Sequence, residues 1–235
     1  MFPFKAIIIL LSTASISVVS LYIRSGLGKN SKDENVLTNT VKSILKDSNL
    51  NHEHDLNQYT EAAQKDLVTT LPGLNFYYSS SFVQFSGYLY VDDDEQKQQQ
   101  AIHYWYVEST RDPKKDPVIL WTNGGPGCSG LLGFGTEFGP FYFQGDGSLA
   151  LNPHTWNSVA NIIYIEQPVG VGFSFSTHPE RDYITGDEKA KLDNFRVIRE
   201  FFKRFPERQG NDFYIASESY GGHYIPQCKY EMRKK

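Results

Sequence analysis

The stretch "DFYIASESYGGHYIP", residues 212–226, constrains this chain more than any other. Phe213, Tyr214 and Ile215 make the β-branched and aromatic run of a buried strand. Small residues then surround Ser219, and a helix-compatible segment follows. Strand, tight turn and helix in that order form a nucleophile elbow, whose strained apex pushes the serine hydroxyl clear of the backbone. Ser-x-Ser-x-Gly by itself is equally a helix N-cap. Its context favours the elbow, together with a second turn upstream. "PVILWT", residues 117–122, is a short continuous apolar run, as a strand covered on both faces requires, and it ends in the Gly-rich "NGGPGCSG". Acyl transfer needs backbone N–H donors aimed at a developing oxyanion. Tyr220, directly after the serine, offers one, and Gly124 and Gly125 let a neighbouring loop bring the other.

The rest of the pattern builds an α/β sheet around these turns. "FVQFSGYLYVDD" and "AIHYWYVEST" alternate apolar and polar residues across a charged stretch at 92–100, which predicts an antiparallel hairpin with a long loop. "VANIIYIEQPVGVGFSFS" holds a further buried strand and another Gly-rich turn. Leu192, Phe195, Ile198, Phe201, Phe202 and Phe205 fall at the spacing of an amphipathic helix over 187–205, acidic at its start and basic at its end. An early hairpin followed by strand, helix and strand is a doubly wound α/β arrangement.

With 235 residues, 40% hydrophobic and 14% aromatic, the chain is globular with one or two domains. A net charge of −4 gives no reason to expect nucleic acid or an anionic membrane as partner. The sequence carries no metal-ligand cluster, and no cofactor is expected. Residues 6–23 are uncharged behind Lys5, with Ala14, Ser17 and Ser20 as small residues before a cleavage point. That is the layout of a secretory signal peptide over 1–23; the alternative is an uncleaved anchor at the lower length limit for a bilayer span. Either way the chain enters the secretory pathway, where disulfides can form. Residues 24–65 read as a polar leader or pro-segment.

"WTNGGPGCSG", "TEFGPF", "ANIIYIEQPVGVGFSFS", "FFKRFPE" and "DFYIASESYGGHYIP" occur in that order. In them, residues 66–227 resemble the N-terminal half of a secreted serine carboxypeptidase of the carboxypeptidase Y and cathepsin A type. The resemblance implies an α/β-hydrolase fold and a serine carboxypeptidase that releases C-terminal residues from peptides or proteins. It implies Ser219 as nucleophile, with the N–H groups of Gly125 and Tyr220 as oxyanion hole. It further implies Trp121, Asn123, Glu137 and Glu218 as the residues that bind the substrate's C-terminal carboxylate. Ser217 departs from the Gly, Thr or Ala usual before the glutamate, and is small enough for the turn. Cys128 is implied to pair with a cysteine that this chain lacks; Cys228, in the atypical tail, reads as incidental, with a Cys128–Cys228 disulfide as the alternative.

Two glutamates beside a substrate carboxylate repel it unless they share protons, and sharing raises their coupled pKa values. Such an exopeptidase works best in acid, which fits a lysosome or vacuole, with an extracellular destination as the alternative. The serine also needs a base and an orienting carboxylate. His223, one helical turn beyond Ser219, points toward packing neighbours; His52, His54, His103, His154 and His178 stand in no motif. The family draws its Asp and His from loops beyond residue 235. "CKYEMRKK", 228–235, reads as an atypical tail, and the strand of residues 212–216 is expected mid-sheet with its far edge open in this chain. On these grounds the chain is expected to be inactive alone. An acyltransferase using the same acyl-enzyme, and a non-catalytic secreted fragment, are the alternatives.

Overall fold

The computed structural model describes residues 9–11, 56–74, 82–92, 97 and 99–233. Most of the segment read as signal peptide and pro-segment therefore lies outside the described residues. Among the described residues no helix is long and apolar enough to cross a membrane.

The strands in chain order are β1 (Ile9–Leu11), β2 (Gln84–Tyr90), β3 (Gln100–Val107), β4 (Val118–Thr122), β5 (Phe141–Phe143), β6 (Leu149–Leu151), β7 (Asn161–Ile165), β8 (Phe175–Ser176) and β9 (Phe213–Glu218). The main sheet runs β1-β9-β4-β7-β3-β2, with β8 beside β3; β5 and β6 form a separate antiparallel pair. The predicted hairpin is β2 and β3, antiparallel with Phe85 opposite Tyr106 and Leu89 opposite Ile102. From β3 the sheet passes antiparallel to β7, and β7, β4 and β9 then run parallel. Parallel neighbours need a crossover on a face of the sheet. Helix α3 (Asp187–Arg204) supplies it between β7 and β9, after the short α1 (Glu61–Lys65) and α2 (Pro179–Asp182); α4 (Gly221–Arg233) follows the elbow.

Period-two alternation divides the core between the two faces of the sheet. Val118, Leu120, Ile163, Ile165, Phe213 and Ile215 point into one apolar cluster. Trp121, Ile162, Tyr164 and Ala216, their neighbours along the same strands, point into the other. The first cluster receives Val197, Ile198 and Phe201 from α3, and Phe205 just beyond it. Phe205 meets Phe85 at 5.0 Å and Tyr106 at 4.9 Å between ring centroids. Asp187 and Glu188 open α3 and Lys203 and Arg204 close it, matching the helix dipole.

Packing reaches back into the polar leader. Tyr59 and Ala63 are buried in the first cluster, and the Tyr59 hydroxyl donates to Glu108 Oε1 at 2.9 Å. At the other end, α4 continues through Gln227 without a break, burying Cys228 and Glu231 and packing Met232 against the core. Both cysteines are free, Cys128 exposed and Cys228 buried, where burial pushes its thiol up to about 12. The far edge of β9 is not open as expected. β1 pairs there in parallel, with Ile9 opposite Ala216 and Leu11 opposite Glu218; an unpaired strand edge is a template for any nearby apolar segment.

Candidate active site

Between β9 and α4 the chain turns within two residues, and Ser219 stands at that corner with φ +51°. It is the only non-glycine residue at positive φ among the described residues. For a residue with a Cβ that conformation costs on the order of 1–2 kcal/mol, so the surrounding structure must impose it. The two flanking strands do so. β4 and β9 are in register with Trp121 beside Ala216 and Thr122 beside Ser217. Both turns therefore leave the sheet at the same level. Ser217 is buried and its hydroxyl donates to the Thr122 carbonyl, tying the ends of the two strands together. The loop after β4 then lies directly against the elbow: a Cβ on Gly124 would come within 2.5 Å of the Tyr220 amide nitrogen. Gly125 follows at φ +107°, open to glycine alone at no steric cost. Ser219 itself is exposed, and its hydroxyl has no hydrogen-bond partner among the described residues.

A carboxylate pair lies beside this corner. Asn123, buried at the start of the Gly-rich turn, accepts from Trp121 Nε1 at 2.8 Å and from the Gly133 N–H at 3.3 Å. Its amide donates to Glu218 Oε1 at 3.0 Å. It also lies close enough to the carboxyl of Glu137 to pull its pKa down; Glu137 is the last residue of a single π-helical turn, Gly133–Glu137. Glu137 is exposed as a residue, yet its carboxyl is hemmed in closely enough for burial to raise its pKa. The Glu218 charge raises it further, against the pull of the Asn123 amide. Beside one neutral amide, two acids thus lie close enough to feel each other. Trp121, Asn123, Glu137, Glu218, Ser219, Tyr220, Gly124 and Gly125 all come from the ends of β4 and β9 and the segments that follow them.

A family model described as serine carboxypeptidase matches residues 72–235. The chain belongs to the serine carboxypeptidase family. It is 47% identical over 166 residues to the lysosomal protective protein of Mus musculus, covering 70% of this chain and 33% of that protein. Serine carboxypeptidase-like 20 of Arabidopsis thaliana is 44% identical over 180 residues, 74% of this chain and 35% of its own. Among solved structures, a prohormone-processing carboxypeptidase from Saccharomyces cerevisiae aligns with a TM-score of 0.62 at 29% identity, over 73% of this chain and 39% of that one. The fold is that of the α/β-hydrolases. The chain spans about a third of the length of the curated relatives it matches.

For a serine carboxypeptidase the location of the histidines is decisive. His223 is exposed on α4 with its ring stacked on Tyr220, centroids 4.7 Å apart, and no hydrogen bond joins it to Ser219. His178 lies 3.7 Å from Glu180 on α2. His103, which the sequence left without a motif, is buried between Ser86 and Glu166. Among the described residues no group of His, Cys, Asp and Glu is placed to hold a metal. Sequence reasoning missed Glu166 and Ser129. The available signal was an acid placed directly after the apolar run "IIYI", in "NIIYIEQP", where an unpaired charge is costly.

Proposed function

We propose that this chain carries the nucleophile and the substrate-carboxylate clamp of a serine carboxypeptidase that releases C-terminal residues from peptides or proteins. The observation that carries the reading is the Asn123 amide bonded to Glu218, with Glu137 near enough to feel both, beside an exposed serine at positive φ. In mild acid, a Glu137 with a raised pKa retains a proton. It can then donate to the terminal carboxylate of a peptide while Asn123 donates alongside it. With that end held, the preceding carbonyl lies over Ser219. The hydroxyl oxygen attacks, its proton passes to a base, and the carbonyl oxygen takes the charge, facing the N–H groups of Gly125 and Tyr220. Collapse expels the terminal residue, whose amine takes the proton, and leaves an acyl-enzyme that water hydrolyses.

The reading takes the base and its orienting carboxylate from the part of the relatives' length that this chain does not match. The clamp requires neither metal nor cofactor, and its acid dependence suits a lysosomal or vacuolar destination. Binding tests it without catalysis. Titration calorimetry with a blocked dipeptide and with its C-terminal amide, at pH 5 and pH 7, should show the free acid bound several-fold tighter at pH 5. The amide should be indifferent to pH. Equal affinity for both at both pH values overturns the clamp. In a form completed with the base, release of the terminal amino acid, against transfer of the acyl group to an alcohol, separates the peptidase from an acyltransferase.

A further inference from the structure

Glu166 is 2% exposed at a junction of three segments, and the reading above leaves it without a task. Its Oε1 accepts from the Ser129 hydroxyl, at the end of the turn that carries Gly125. Its Oε2 accepts from the Phe173 N–H at 2.9 Å, in the second Gly-rich turn. His103 Nδ1 lies 2.9 Å from the same oxygen, off the line of an ideal hydrogen bond. The main chains are joined as well. The Glu166 N–H donates to the His103 carbonyl at 3.1 Å, and the His103 N–H donates to Ser174 Oγ at 2.8 Å. Ser174 Oγ in turn donates to the Glu166 carbonyl at 2.5 Å. On the far side of the ring, His103 Nε2 is 3.0 Å from Ser86 Oγ.

Ser86, His103 and Glu166 thus stand in the order of a nucleophile, its base and an orienting acid. Ser86, however, sits in the middle of β2, and its own N–H is donated to the Asp66 carbonyl at 2.8 Å. A strand in a ladder has no spare N–H pair to stabilise an oxyanion, so the row ends in no chemistry there. Its effect lies at the other end. Residues 125–128 of the first turn are exposed. Side-chain bonds hold that turn at both ends: Asn123 is bonded to Trp121, Thr122 and Glu218 at its start, and Ser129 to Glu166 at its end. Burial would push Glu166 up, but the nearby His103 ring and the hydrogen bonds from Ser129 and Phe173 outweigh it and hold its pKa below the ordinary value. The tether is therefore charge-assisted, and charged acceptors make bonds about twice as strong as neutral ones.

We propose that Glu166, held by His103, is a positioning residue that fixes the turn of residues 123–130, and with it the Gly125 N–H, relative to Ser219. The inference rests on the roles given above to Gly125 and Ser219, but its mechanical part can be read without them. In this chain, Ser129→Ala and Glu166→Gln should each speed amide exchange at Cys128 and Gly130 by tenfold or more, with β4 and α3 unchanged. In a form completed with the base, both should lower turnover per titrated Ser219 by about 10–100-fold, the range for lost outer partners of a working site, with KM within about twofold. A residue that only stabilises the fold would lower the melting temperature and leave turnover per site intact. Wild-type exchange at Cys128 and Gly130 in both variants overturns the proposal, and so does wild-type turnover per site. Ser129→Ala removes one half-buried hydroxyl, so it remains informative if Glu166→Gln does not fold. Should Ser219→Ala keep its turnover, the nucleophile assignment fails instead, while the exchange result still decides the tether.

Discussion

Ser219 holds a backbone conformation that its own side chain disfavours, and the bonds on either side of it explain why it stays there. Ser217 is fastened to β4, and α4 begins two residues after the serine. Ser219→Ala keeps the Cβ and the turn, so it should fold normally and, wherever a base is supplied to the serine, lose several orders of magnitude in turnover. Retention of more than a few per cent of wild-type activity would remove Ser219 from the mechanism. The carboxylate pair makes a separate prediction. Peptide binding should weaken as pH rises from about 5 to 7, because Glu137 loses the proton it donates. Glu137→Gln and Glu218→Gln should flatten that fall, since an amide donates at any pH. An unchanged profile for free-carboxylate peptides in both variants rejects the shared-proton account. At this scale the sequence was legible wherever a residue sat in a turn motif: Ser219, Gly125 and Asn123 stand in short, unusual strings. Glu166 and His103 were harder to read, because their pairing joins segments distant in sequence, and only the place of Glu166 directly after a buried strand marks it.

Elements were easier to read than single residues, because periodicity averages over many side chains. Helix α3 and the hairpin of β2 and β3 are both found in the structure within about three residues of where the pattern puts them, although β3 is buried on both faces rather than alternately. Less legible was where a periodic run stops being helix. Phe205 comes after α3 ends, yet it is fully buried and its ring meets Phe85, Tyr104, Tyr106 and Phe201. It fastens the hairpin to the crossover helix. Phe205→Ala should cost about 3–5 kcal/mol through lost burial and the cavity left behind. For a chain of this size that is a fall of roughly 6–20 °C in melting temperature. A change under about 2 °C would mean the hairpin and α3 hold together without that ring. Composition also misled at both ends of the domain. Polar residues around Tyr59 and Ala63, and the basic run after Gln227, read as leader and tail, whereas one apolar side chain per turn is enough to pack such segments on the core.

For the molecule as a whole, buried carboxyls of two kinds set its response to pH. Burial raises Asp193 despite Lys189 and Arg196, and raises Glu207, whose two carboxyl oxygens find no partner among the described residues. Together with Glu137 these bind protons more tightly folded than unfolded, so stability rises as pH falls from their folded values toward the ordinary carboxylate range. Asp116 and Asp182 are held low, chiefly by Arg111 and Arg181, and Glu166 by its hydrogen bonds. Their contribution is complete above the ordinary range and is lost only as pH drops through their folded values. The two sets leave a maximum between them. The melting temperature of this chain should be several degrees higher near pH 5 than near pH 7.5, and Asp193→Asn should narrow the difference. A melting temperature that is flat or rises toward pH 7.5 contradicts the balance. The ladder that sets Thr122 beside Ser217 acts on a different variable, the number of residues. The gap between the two turns is counted in whole peptide units. One residue added to or removed from β4 or β9 ahead of its turn would displace that turn by about 3.3 Å and send alternate side chains to the opposite face. Substitution can adjust this site by degrees, whereas a change of length moves it one notch out of alignment, with no intermediate setting.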